Sequence, residues 1–107
     1  MELGEIEPRE LKRRLDRGDR LTIIDVREPG EIELAGFNGA VKIPMGDIPS
    51  RLTELDPDDE TVVLCHHGIR SLRVGMYLAQ MGFRRVLNLS GGIDAWSLTV
   101  DPATPRY

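Results

Sequence analysis

At 107 residues with a net charge of −4, the chain suits one domain that buries about two-thirds of its unfolded surface, and it lacks the basic surface that general nucleic-acid binding requires. No apolar run approaches the ~20 residues that span a bilayer, so neither nucleic acid nor membrane is expected as a partner. A lone cysteine, Cys65, leaves no internal disulfide, and Met1-Glu2-Leu3-Gly4-Glu5 has neither the basic segment nor the apolar run of a secretory signal. A reducing, cytoplasmic setting is the expectation.

The first predicted helix covers 8–17, with Pro8 near its start, Leu11 and Leu15 four apart and Gly18 as a stop. Leu21-Thr22-Ile23-Ile24-Asp25-Val26 is a β-branched run ending in charge, as in a buried strand with polar residues at its carboxyl end. Glu31 to Leu34 reads as a helical turn, Ala40-Val41-Lys42-Ile43 as a short strand stopped by Pro44, and Ile48 to Leu55 as a brief helix before the turn Asp56-Pro57-Asp58-Asp59. Thr61 to Leu64 is a strand that delivers Cys65 into a loop. Ser71, read as an N-cap, opens a broadly apolar and largely buried helix that Gly82 closes. Val86 to Leu89 is a further strand, and Gly91-Gly92 precedes a short helix carrying Trp96, a core or pocket-wall residue. Residues 98–107 form a proline-rich, irregular tail. Strands alternating with helices imply an α/β fold: a parallel sheet covered on both faces, with ligands beyond the carboxyl ends of the strands, where Cys65 lies.

The run Cys65-His66-His67-Gly68-Ile69-Arg70-Ser71 makes Cys65 a candidate nucleophile. Four residues separate cysteine from arginine, and the single glycine permits tight curvature. Backbone N–H groups and a following helix N-terminus would surround the sulfur, and such surroundings favour thiolate over thiol. From 65 to 73 the chargeable groups are Cys65, His66, His67, Arg70 and Arg73, with no acid among them, so the local field is expected to favour anions. A cysteine thiolate can carry sulfur, a phosphoryl group, an acyl group or half a disulfide. No second cysteine could resolve a disulfide within the chain. Acyl transfer needs a positioned base, which sequence adjacency of His66 and His67 does not supply. Phosphoryl transfer needs room for three oxygens; a single sulfur is the smaller cargo. Three successive ligands on a tight loop hardly converge on one ion, so no metal is expected. Arg27, at the end of a strand directed toward the cysteine loop, is a substrate-binding candidate, and Asp25 suits an ion pair or turn hydrogen bonds.

Several separate motifs resemble the single-domain rhodanese family. Asp25-Val26-Arg27-Glu28-Pro29 with Glu31, then Gly39-Ala40-Val41-Lys42-Ile43-Pro44, resemble its first signature and the segment after it. Cys65 to Ser71 resembles its six-residue active loop, one residue shorter between cysteine and arginine than phosphatase loops. Gly91-Gly92-Ile93-Asp94-Ala95-Trp96 is similar to its terminal signature. The tail from Asp101 to Tyr107 is similar to a subgroup found alone or fused to adenylating enzymes that activate sulfur carriers. Many members carry histidine after the glycine matching Gly36, where this chain has Phe37-Asn38. The resemblance extends from about residue 5 to the last residue and implies one rhodanese-like domain over 1–107, with a central parallel sheet of about five short strands between helices. It also implies a sulfurtransferase in which Cys65 takes sulfane sulfur from a small anionic donor such as thiosulfate, becomes a persulfide, and yields the sulfur to a thiol, cyanide or a sulfur-carrier protein. Backbone N–H groups of 66 to 70 would hold the persulfide, so that His66, His67, Gly68, Ile69, Arg70 and Ser71 line the substrate site. Arg70 would steer the donor, and no cofactor beyond the covalent persulfide is implied. The alternative is a delivery module for one protein partner, such as a sulfur-carrier or adenylating enzyme; a phosphatase or arsenate reductase is disfavoured by loop length.

Overall fold

A computed structural model describes residues 3–107. In chain order the elements are β1 (Leu3–Ile6), α1 (Pro8–Asp16), β2 (Thr22–Asp25), α2 (Pro29–Leu34), β3 (Val41–Lys42), 3₁₀ turns at Met45–Asp47 and Pro49–Glu54, β4 (Glu60–Leu64), α3 (Ile69–Gln80), β5 (Arg85–Leu89) and α4 (Gly92–Thr99). The five strands form one sheet in the order β1-β5-β4-β2-β3, and every pairing is parallel. The α/β architecture expected from the alternation of strands and helices is therefore present.

Alternation along β4 divides the core and aims the cysteine. Val62 and Leu64 join Leu11, Leu87, Leu89, Ile93 and Trp96 on the face covered by α1 and α4. Val63 and Cys65 point the other way, into a cluster with Ile24, Val74, Leu78 and Val86 under α3. Strand β4 sits between β5 and β2, so Cys65 emerges at the centre of the carboxyl edge, where the loops after both neighbours converge. Near the opposite face Phe37 packs its ring 4.8 Å from that of Trp96.

One strand went unread in the sequence, and three expectations need correction. The segment at 3–6 is a strand: it pairs with β5 from Leu3↔Val86 to Ile6↔Leu89 at the sheet edge, although Gly4-Glu5 breaks any apolar alternation. Helix α3 starts at Ile69, not after Ser71; Gly68 is the N-cap at φ 101°, a left-handed conformation that lets the loop turn straight into the helix. Ser71 thus lies inside the first turn. Nor is α3 largely buried, because Ile69, Leu72 and Met76 repeat at helical spacing on an exposed face. At the other end, α4 runs to Thr99, so the irregular tail begins at Val100. Among the described residues no helix is long and apolar enough to cross a membrane.

Candidate active site

Cys65 is 1% exposed, and its sulfur is ringed by donors. The N–H groups of Gly68 and Ser71 point at Sγ from 3.1 and 3.4 Å, and the Ser71 hydroxyl lies 3.3 Å away. These contacts arise because Gly68 reverses the chain and the first turn of α3 then aims its unpaired N–H groups back at the strand end. The arrangement aims fixed N–H and O–H dipoles at the place where a charged sulfur would sit.

A polar chain stands behind the sulfur. Ser71 Oγ is 2.5 Å from Asn88 Oδ1, while Asn88 Nδ2 donates to the Gly68 carbonyl at 3.1 Å and to Glu5 Oε2 at 3.1 Å. A hydroxyl has one proton. As a thiol, Cys65 can donate to Ser71 while Ser71 donates to Asn88; as a thiolate, Cys65 can accept the Ser71 proton. Asn88 was not singled out by sequence reasoning. The signal available was its place between Leu87 and Leu89, which turns a buried amide onto the face that holds Cys65.

Helix α4 clamps the loop from below. Ile93 N–H donates to the Cys65 carbonyl at 2.9 Å and Asp94 N–H to the His66 carbonyl at 3.1 Å. The approach is so close that a Cβ on Gly92 would lie 2.4 Å from the His66 oxygen and 2.5 Å from the Cys65 oxygen, at a φ of +63°. Gly92→Ala is therefore expected to cost about 2–3 kcal/mol, from overpacking onto rigid backbone and a left-handed conformation. A urea midpoint that falls at unchanged slope would show it; an unchanged midpoint would contradict the geometry.

The charged residues are arranged differently from the expectation. Among residues 65–73 there is no acid, yet the fold brings Glu31 of α2 against Arg70 in a two-pronged pair, Nη1–Oε2 and Nη2–Oε1 both 2.7 Å. Arg70 is 31% exposed and Glu31 23%. The guanidinium holds the Glu31 carboxyl well below the usual range, at about 2, and the carboxylate raises Arg70. The stability from this pair is complete above the ordinary carboxylate range near 4.5 and is lost as pH falls toward 2. Glu31 also accepts the Glu28 N–H at 3.0 Å as part of a capping box.

Arg27, a substrate-binding candidate from sequence, is 0% exposed. Its Nε and Nη2 donate to the two carboxylate oxygens of Asp25 at 2.9 and 2.7 Å, and Nη1 to the Tyr107 hydroxyl at 3.2 Å. It touches the loop region only through Tyr107 and Glu31, so its geometry is that of a buried ion pair holding other groups in place. Asp25 forms the ion pair expected of it.

His66 and His67 lie on the outer side of the loop. The His66 ring stacks on Tyr107 at 3.8 Å and 9°, and on His67 at 3.8 Å and 29°. Burial, helped by His67, pushes His66 below its ordinary value and keeps it neutral near pH 7. Tyr107 in turn donates its hydroxyl to Glu31 Oε1 at 3.0 Å, so the irregular tail is tied to the site. His66, His67 and Asp94 bring ligand atoms within 4.8 Å of one another. Stacked rings do not aim their lone pairs at one point, and Asp94 is engaged by Arg106 at 2.8 Å, so the group is poorly built for an ion. Ile69 faces outward at 68% exposure. Of the loop residues proposed from sequence, Gly68 and Ser71 meet the sulfur directly; Glu31, Asn88 and Tyr107 complete the surroundings.

Residues 7–99 match the family described as rhodanese-like domain. A sulfurtransferase of Allochromatium vinosum is 39% identical over 95 residues, covering 89% of each protein. The rhodanese-like/PpiC domain-containing protein 12 of Arabidopsis thaliana is 43% identical over 93 residues, and this chain spans 31% of its length. Among solved structures, the crystal structure of a rhodanese-like domain protein from Staphylococcus aureus superposes over 100% of this chain and 99% of its own, with a TM-score of 0.83 and 30% identity. A thiol cradled by the first turn of α3 at the centre of a parallel sheet, together with these matches, places the chain in the rhodanese-like domain family.

Proposed function

We propose that the protein is a cytoplasmic sulfurtransferase that works through a persulfide on Cys65. The observation that carries this reading is the convergence of the Gly68 and Ser71 N–H groups and the Ser71 hydroxyl on one sulfur. The sulfurtransferase name of the Allochromatium vinosum relative supports it. The Cys65 thiolate attacks the sulfane sulfur of a donor such as thiosulfate; the new Sγ–S bond forms as the donor's S–S bond breaks, and sulfite leaves with the electron pair. An acceptor thiol, cyanide or a sulfur-carrier protein then attacks the outer sulfur and restores the thiolate. Backbone N–H groups of 66 to 70 hold the negative charge on the outer sulfur, and the chain needs no cofactor or metal for either step.

A second reading, delivery to one protein partner, is favoured by Ile69, Leu72 and Met76, which extend an exposed apolar stripe from the loop along α3. Incubation with a sulfane donor should add one sulfur atom to the intact mass, removable by dithiothreitol or cyanide. Failure to gain sulfur from any such donor would refute the persulfide reading. Faster discharge to a sulfur-carrier protein than to cyanide would favour delivery.

A further inference from the structure

Three arginines placed around the loop are already matched by carboxylates. Arg27 is paired with Asp25, Arg70 with Glu31, and Arg106 with Asp94. Arg73, one turn further along α3, lines a separate cleft with Met45, Ile48 and Tyr77. The Arg70 pair is the decisive one. Both terminal nitrogens of its fork are occupied, each at 2.7 Å, and these are the groups that would grip an oxyanion in a two-pronged fashion. The opposing carboxylate is fixed from two other sides, by the Glu28 N–H at 3.0 Å and the Tyr107 hydroxyl at 3.0 Å, so it does not swing away freely. A dianion approaching Arg70 therefore meets a neutral pair in place of a free cation.

We propose that Glu31 is a specificity-determining residue: by withholding Arg70 from anion binding, it turns the site from the thiosulfate dianion toward persulfides of thiols, which react in the protonated form R–S–SH and carry at most one charge at the reacting end. This rests on the sulfurtransferase reading above. In the step, the Cys65 thiolate attacks the outer sulfur of R–S–SH. The Sγ–S bond forms, the donor's S–S bond breaks, and its electron pair leaves on R–S⁻. The proton stays with the transferred sulfur, and one persulfide replaces another without net oxidation. Glu31 touches none of the reacting atoms and acts through Arg70.

The test compares wild type, Glu31→Gln and the double variant Glu31→Gln with Arg70→Gln, loaded in single turnover by thiosulfate or by cysteine persulfide and followed by intact mass. Glutamine retains the capping box, so the first variant removes charge and keeps the acceptor for Glu28. Wild type should load from cysteine persulfide at lower concentration than from thiosulfate, and its thiosulfate loading should depend weakly on salt. In Glu31→Gln the half-saturating thiosulfate concentration should fall about five-fold, the effect of one opposing charge at close range in water, and loading should become salt-sensitive. Cysteine persulfide should shift by less than about two-fold. In the double variant the thiosulfate gain of Glu31→Gln should be lost, because the guanidinium that the first substitution frees is gone. An unchanged or raised thiosulfate requirement in Glu31→Gln, parallel shifts for both donors, or a double variant that keeps the thiosulfate gain would overturn the role of Glu31. Loading from neither donor in any of the three proteins would instead overturn the sulfur-transfer reading beneath it.

Discussion

Cys65→Ser is expected to abolish sulfur loading altogether, with no mass gain from any sulfane donor. Serine nearly reproduces the volume and can take up hydrogen bonds from Gly68 and Ser71, which lie 3.1 and 3.3 Å from the sulfur. The fold should therefore survive, with stability changed by about 1 kcal/mol or less. What is lost is the soft sulfur nucleophile. Far-UV circular dichroism and a thermal melt beside the mass measurement separate the two effects. A folded serine variant that still acquired sulfur would place the chemistry elsewhere, because the chain has no other cysteine.

The largest loss of stability is expected from Arg27→Met. The Arg27–Asp25 pair is almost wholly out of water, at 0% and 1% exposure, with contacts of 2.9 and 2.7 Å. Methionine fills much of the space and leaves the Asp25 carboxylate without its partner, a change that costs about 3–5 kcal/mol. Pairing Arg27→Met with Asp25→Leu removes both charges and should recover most of that loss, because desolvating the ions offsets much of their attraction. Urea unfolding of the single and double variants checks this. A single variant within about 1 kcal/mol of wild type would show that the pair contributes little. The single variant also removes the donor to the Tyr107 hydroxyl, so the tail should become more accessible to protease than in wild type.

The features legible in the sequence are those written into short segments. The loop from Cys65 to Ser71 announces itself through one strand, one glycine and one cysteine in a row, and the Gly91-Gly92 turn through its dipeptide. Short apolar, β-branched runs gave β2, β4 and β5. What escaped is long-range: Glu31 reaches Arg70 across 39 residues, Tyr107 reaches Glu31 across 76, and Ser71 meets Asn88 across 17. A local count of charge therefore found an anion-friendly loop, where the folded chain supplies the compensating acid from α2. Strand β1 escaped because an edge strand with Gly4-Glu5 at its centre has no alternation to read; its partner β5 supplies the order. Ser71 had the composition of a cap, but the left-handed Gly68 started the helix earlier and turned that hydroxyl onto sulfur.

The burial of Cys65 has a consequence for the direction of traffic. Val63, Val74 and Leu78 share its buried cluster, leaving the loop side for any added atom. On the proposed chemistry, loading extends the side chain by about 2 Å, the length of one S–S bond. An empty protein then hides its sulfur and a charged one presents it. Partners that collect sulfur would be able to tell the two apart by reach alone, and a discharged molecule would offer them nothing to hold.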